Sequence, residues 1–219
     1  MNLANLRTRV LYQAGLLGLV ALLASALLAL GDLATREMIA SNKAEDLKES
    51  LSQVIPPERH DHDLLDDVLN VSVRSAIAPR QVYRAHLGGR ITALAYGIVG
   101  EGYAGPIEAI MGVDAQGRIL GIRILSHRET PGLGDKIEHR KSDWILHFNG
   151  RSLADPPPQA WAVKKDGGAF DQLTGATITP RAVVHAVKEG LEFFAAHQST
   201  LLGKGPQKPL QSSEVTHGN

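Results

Sequence analysis

An uncharged and mostly apolar run lies near the amino terminus. Residues 10–31, VLYQAGLLGLVALLASALLALG, contain no charged side chain. A helix of this length rises far enough, at about 1.5 Å per residue, to cross the hydrocarbon core of a bilayer. Arg7 and Arg9 precede the run, so the positive-inside rule predicts a cytoplasmic stub over residues 1–9 and export of everything after the helix. The Ala-Ser-Ala sequence at 24–26 leaves a cleavable signal peptide as the alternative.

A mixed apolar and charged segment follows and predicts a linker over residues 32–69. Residues 34–54 have helical spacing, and Pro56 and Pro57 end the pattern. The next stretch, ERHDHDLLDD at 58–67, is predicted to be a solvated charged link. Its histidines, His60 and His62, could ligate a metal together with the neighbouring aspartates, but no second ligand cluster accompanies them.

Alternating apolar and polar positions then predict two β-hairpins. Gly88 and Gly89 form the first turn, and the sequence DAQG at 114–117 forms the second. The strand pairs are QVYRAHL with RITALAYGIV and PIEAIMGV with RILGIRIL, at residues 81–87, 90–99, 106–113 and 118–125.

Helical segments are predicted after the hairpins. A glycine-containing loop precedes a helix from about Asp135, and a final helix over 180–197 has an apolar stripe formed by Val184, Val187, Leu191 and Phe194. The tail at 203–219 is predicted to be disordered. Hairpins combined with separate helices favour one α+β domain over residues 70–202.

Composition excludes several classes of function. Basic and acidic residues number 23 each, so the net charge is zero. Nucleic-acid-binding domains usually carry a basic excess, and nucleic acid is not an expected partner. Cysteine is absent, which excludes disulfides, thiolate metal sites, iron–sulfur clusters and cysteine nucleophiles.

The stretch DQLTGATITPRAVV at 171–184 is the main candidate for chemistry. Threonine hydroxyls are poor nucleophiles without an adjacent base, and the core TGATITP contains none. Pro180 suits the first position of the last helix, which makes Thr179 the predicted N-cap. The helix terminus is alternatively an anion site at which a hydroxyl carries a phosphodiester. Nearby cations could then neutralise the phosphate: Lys164, Lys165 and Arg181.

These residues resemble the flavinylation motif D-x-x-T-G-A-T-x-T of FMN-binding domains. Such domains occur in the G subunit of the Rnf electron-transport complex and the C subunit of the sodium-translocating NADH:quinone oxidoreductase. In that family a flavin transferase moves FMN from FAD onto the last threonine. The resemblance implies that Thr179 carries one covalent FMN, and that the site includes the other motif residues, Asp171, Thr174, Gly175, Ala176 and Thr177.

Two further stretches support the resemblance. EGYAGPIEAIMGVD at 101–114 is similar to a Gly-Tyr-x-Gly region of the family, and HRETPGLGDKIEHRKSDWI at 127–145 is similar to a flavin-contacting loop. The resemblance therefore implies cofactor contacts from Glu129, Thr130, Gly132, Leu133 and Gly134. Tyr103 and Trp144 could stack on the flavin, with buried packing favoured for Trp144. The chain length and the residues in and around the motif resemble those of the G subunit of the Rnf complex most.

Two departures from the family pattern are present. Thr174 stands where serine is more usual, and Ala169 stands where an acidic residue is common.

The resemblance implies an electron-transfer subunit anchored in the inner membrane, with its domain in the periplasm. Expected partners are other membrane subunits and, during maturation, the flavin transferase. The complex would couple electron flow between ferredoxin and NAD to ion transport. Neither a catalytic residue nor a metal is expected in this chain. The alternatives are a flavin-free, membrane-tethered interaction module and an exported hydrolase, which would need a base beside its hydroxyl nucleophile.

Overall fold

The computed structural model describes residues 3–72 and 80–203, so the tail predicted to be disordered lies almost wholly outside the described residues. Contacts divide the chain into two compact units, Met1–Leu47 and Lys48–Asn219. Helix α1, Leu3–Val54, is continuous. Its segment Tyr12–Asp32 has mean hydropathy 2.3, and its length and composition suit a membrane span. The predicted anchor and linker helix therefore form one helix.

The end of α1 belongs to the carboxy-terminal unit. Leu51, Val54 and Ile55 are fully buried. A Cβ atom on Gly112 would lie 2.9 Å from the carbonyl carbon of Val54, so the absence of a side chain allows the helix end to approach the sheet. The compact unit begins at Lys48, before the predicted domain start at residue 70.

The sheet has five antiparallel strands in the order β1-β2-β3-β4-β5. The two predicted hairpins are confirmed, whereas β1 was not predicted. The strands are β1 Val68–Val71, β2 Arg80–Leu87, β3 Arg90–Glu101, β4 Pro106–Asp114 and β5 Ile119–Ser126.

The charged segment at 58–67 packs onto the sheet instead of forming a solvated link. Asp67 forms an ion pair of 2.6 Å with the buried Arg84 and a hydrogen bond with His86. Burial disfavours the charged form of Asp67, but the hydrogen bonds from Arg84 and His86 outweigh it and hold the pKa of Asp67 below its ordinary value. Within residues 3–72 and 80–203, no group of three or more His, Asp or Glu side chains is placed to hold a metal ion.

The last helix, α2, runs from Ile178 to Leu201 and covers one face of the sheet. Its predicted apolar stripe is confirmed as buried. The Tyr96 hydroxyl donates to the carbonyl of Gly190 at 2.9 Å, which ties the middle of the helix to β3. A Cβ atom on Gly100 would lie 2.6 Å from the Ala182 carbonyl oxygen. The first turns of α2 therefore lie directly against the end of β3.

The predicted helix from Asp135 is wrong. Two short 3₁₀ helices, Gly134–Ile137 and Asp143–Phe148, occupy this region. Ser142 separates them with an extended backbone, its hydroxyl donating to the Lys136 carbonyl at 2.6 Å and accepting from the backbone N–H of Trp144. Local hydrogen bonding by serine competes with a continuous helix.

A cluster of aromatic rings supports the loop that precedes α2. Phe148 and Phe170 stack with ring centroids 4.6 Å apart, beside Trp161. The indole N–H of Trp144 donates to the Asp171 carbonyl at 2.6 Å. Trp144 is buried, as expected for a packing residue, and it fixes the first residue of the motif loop.

Candidate functional site

The motif loop turns sharply into α2. Gly175 has φ +81°, a conformation that side-chain-bearing residues rarely adopt, and the backbone N–H of Ala176 donates to the Leu173 carbonyl at 3.1 Å. Helix α2 begins at Ile178, with Thr177 as its N-cap. The predicted assignment of Thr179 as N-cap is therefore wrong.

The helix begins two residues before Pro180, the predicted first position, because Thr177 already has helical dihedral angles. The side chain of Thr177 makes no capping hydrogen bond. Thr179 and Pro180 consequently occupy the second and third helical positions. Thr179 remains within the first turn, where backbone N–H groups lack partners inside the helix. Proline is tolerated there because its missing N–H would have had no such partner.

The Thr179 hydroxyl forms a hydrogen bond with a buried carboxylate. Its side chain is 1% exposed, and its hydroxyl donates to Oε2 of Glu129, which is itself 5% exposed. The other carboxylate oxygen, Oε1, accepts from the backbone N–H of Ala104 at 3.1 Å. The backbone N–H of Glu129 donates to Nδ1 of His127 at 3.1 Å. The Gly-Tyr-x-Gly region and the predicted flavin loop thus converge on the last threonine of the motif.

A network of hydrogen bonds and ion pairs outside the pocket holds His127 in place. His127 Nε2 lies 2.9 Å from Oε1 of Glu138, and Lys141 lies 2.7 Å from the same oxygen. Hydrogen bonds from Lys141 and His127 hold the pKa of Glu138 below its usual value. Glu138 is therefore a carboxylate that fixes the histidine, which in turn fixes the backbone of Glu129.

Gly134 lies so close to Thr179 and Glu129 that a side chain at this position would crowd both. A Cβ atom at this position would lie 2.7 Å from Oε2 of Glu129 and 2.8 Å from Oγ1 of Thr179. Only glycine therefore leaves both polar groups undisturbed.

A pocket of about 490 Å³ includes Gly134 and Thr179 in its lining. Its volume falls within the range typical of cofactor sites. Three large apolar side chains at the pocket are exposed: Tyr103, Leu133 and Ile178. The lining residues are Tyr103, Glu129, Thr130, Leu133, Gly134, Gly175, Ala176, Thr177, Ile178 and Thr179.

The pocket unites most, but not all, of the predicted site residues. Asp171, Thr174 and Gly132 do not line it. Asp171 instead forms an exposed ion pair with Lys164 at 2.6 Å. Ile178 lines the pocket but was not a predicted site residue. The available signal was its position as an apolar residue between two threonines of the motif, and its exposure at the start of the helix allows contact with a ligand.

Two of the three cations expected to neutralise a phosphate, Lys164 and Arg181, are engaged elsewhere. Lys164 pairs with Asp171, and Arg181 forms two hydrogen bonds of 2.5 Å with Asp166. None of the ten residues that line the pocket is Lys, Arg or His. A phosphate at Thr179 would therefore be stabilised chiefly by the free N–H groups and dipole of the first turn of α2. The helix terminus suits the phosphate of a flavin nucleotide, and the apolar side chains that line the pocket suit its ring.

Comparison with known proteins identifies the family of the chain. Residues 102–192 match the model of the FMN-binding domain. The G subunit of the ion-translocating oxidoreductase complex of Cereibacter sphaeroides is 51% identical over 193 residues, with 88% of each chain covered. The corresponding G subunit from Stutzerimonas stutzeri is 48% identical over 203 residues, covering 93% of this chain and 88% of that one. A crystal structure of Shewanella oneidensis NqrC aligns with TM-score 0.46 at 21% identity, covering 69% of this chain and 73% of that one. The chain belongs to the family of G subunits of ion-translocating oxidoreductase complexes.

Proposed function

We propose that this chain is an electron-transfer subunit that carries one FMN as a phosphodiester on Thr179. Its FMN-binding domain and its family support a flavin-binding subunit of an ion-translocating oxidoreductase. The other membrane subunits of that complex are its partners, and electron flow between ferredoxin and NAD is the process it serves. A flavin transferase attaches the cofactor during maturation.

The position of the Thr179 hydroxyl is the observation that carries this proposal. The hydroxyl donates to Glu129 beside Gly134, where a side chain would crowd it, and it lies in the first turn of α2. Thr174 is exposed and outside the pocket, and Thr177 is the N-cap. Of the three motif threonines, Thr179 alone combines a place in the pocket with a carboxylate partner and nearby free N–H groups.

The residues around Thr179 have separable roles. Leu133 and Ile178 supply apolar surface for the flavin ring, and Tyr103 offers an aromatic face. When bound, FMN supplies the redox chemistry, while the protein positions the cofactor and limits its contact with water. A covalent bond prevents loss of the cofactor on the exported side of the membrane, where it could not readily be replaced.

Two alternatives are less well supported. A flavin-free interaction module gives no reason for a buried hydroxyl–carboxylate pair under a pocket. A hydrolase would need a nucleophile, a base and a group that orients the base. Glu129 could act as such a base, but the family model that matches residues 102–192 describes an FMN-binding domain and gives no support to a hydrolase.

Fluorescence on a denaturing gel tests the proposal. The protein made in cells with flavin transferase is expected to retain flavin fluorescence after denaturation, because a phosphodiester survives loss of the fold. Protein made without the transferase is the control and should be dark. A dark band in both samples would contradict covalent attachment.

Topology is a separate prediction. A reporter enzyme that is active only outside the cytoplasm, fused after Asn219, is expected to be active. The reason is that Arg7 and Arg9 precede the apolar segment and retain the amino terminus inside. Amino-terminal sequencing should show that the anchor is kept. A mature protein beginning near Leu27 would replace the anchor with a cleaved signal peptide.

A further inference from the structure

We propose that Glu129 is the proton acceptor that activates Thr179 for attachment of the flavin. This inference rests on the proposed phosphodiester at Thr179. In the step, Oγ1 of Thr179 bonds to the FMN phosphorus of FAD, and the P–O bond to the adenylate breaks. AMP leaves with the bridging oxygen, while the hydroxyl proton passes to Oε2 of Glu129. No oxidation or reduction occurs.

The hydrogen bond between the two side chains is the first support. A neutral threonine hydroxyl is a weak nucleophile and needs a base within hydrogen-bond reach. The Thr179 hydroxyl already donates to Glu129, and both groups are buried. The proton therefore has a direct path to the carboxylate.

The orientation of Glu129 is the second support. Oε1 is occupied by the backbone N–H of Ala104, which leaves Oε2 for Thr179. A Cβ atom on Gly102 would lie 2.8 Å from Ile107 and would collide with Oε1, so this glycine makes room for the carboxylate. A base held in one orientation loses less freedom as the reaction proceeds.

The charges of the pocket are the third support. Among the ten residues that line it, none is cationic and Glu129 is the one carboxylate. A charged carboxylate beside a new phosphodiester anion would be repelled by it. Transfer of the proton to Glu129 removes that repulsion at the moment when the phosphodiester forms. One residue thereby activates the hydroxyl and accommodates the product.

The test is the single-turnover rate of flavin attachment to the full-length, detergent-solubilised apo protein, measured with flavin transferase and FAD. Glu129→Gln keeps the shape and the acceptor oxygen but removes the base. It is expected to slow attachment by about 10²–10⁴-fold, with the FAD concentration for half-maximal rate unchanged. Glu129→Ala should be similarly slow and should regain part of its rate when formate, a small carboxylate, is added.

Asp135→Asn is the matched control. Asp135 is also a buried carboxylate of the same loop, but it pairs with Lys141 at 3.0 Å and not with Thr179. This variant should attach flavin at close to the parental rate. A general effect of charge loss in the loop would instead slow both amide variants.

The outcomes separate this inference from the proposed function. If the parent protein acquires flavin and the Glu129→Gln variant acquires it equally fast, Glu129 is not the proton acceptor, while Thr179 is still the modified residue. A folded Glu129→Ala variant that formate does not accelerate would also overturn it. Failure of the parent itself to acquire flavin would instead contradict the proposed function.

Discussion

Thr179→Val is expected to abolish covalent flavin while leaving the domain folded. Valine keeps the branched shape of threonine and removes the oxygen that the phosphodiester requires. Because Thr179 is not the N-cap, the stability cost comes from the lost hydrogen bond to buried Glu129. Removing one partner of such a bond costs about 1–3 kcal/mol. Gel fluorescence measures attachment, and thermal unfolding measures the change in stability.

Thr177→Val is the matched control for this experiment. Thr177 also lines the pocket, but its side chain makes no capping hydrogen bond. Any flavin attached in this variant should still be on Thr179. Fluorescence that survives denaturation in Thr179→Val would contradict the assignment.

Gly134→Ala is expected to reduce attachment about tenfold or more. The added methyl group would lie 2.7 Å from Oε2 of Glu129 and 2.8 Å from Oγ1 of Thr179, so these groups must move apart. Overpacking of this kind costs roughly 1–3 kcal/mol, and about 1.4 kcal/mol corresponds to a tenfold change in rate or equilibrium. The fraction of protein carrying flavin after a fixed time with the transferase measures the effect.

The Gly132→Ala variant distinguishes backbone strain in the loop from the steric crowding that Gly134→Ala introduces at Thr179. Gly132 has φ +80°, and a Cβ atom there would meet no atom within 4 Å. The variant should lose stability by about 1–2 kcal/mol because of its left-handed backbone, yet it should still acquire flavin. Equal attachment defects in Gly134→Ala and Gly132→Ala would show that loop strain, and not crowding at Thr179, controls the reaction.

Regular elements could be predicted because their hydrophobic patterns are local. The alternation in β2 to β5 and the stripe of α2 each follow from one segment of sequence. The charged segment at 58–67 was misassigned because its partner Arg84 is distant in sequence. A buried ion pair of this kind cannot be recognised from the charges of one segment alone.

The site was predictable only in part for the same reason. The motif identified Thr179, and the loop resemblance identified Glu129, but their contact joins residues fifty positions apart. The start of α2 at Ile178 depends on the dihedral angles of Thr177, which the proline at 180 did not reveal. That shift removed a capping role from Thr179 and exposed Ile178 at the pocket.

The mass of one peptide tests the central claim most directly. Trypsin cleaves after Lys165 and Arg181, which releases residues 166–181 with all three motif threonines. Fragmentation of this peptide from flavin-loaded protein is expected to locate the mass of FMN less one water on Thr179. An unmodified peptide from fluorescent protein, or the added mass on Thr174 or Thr177, would contradict the account.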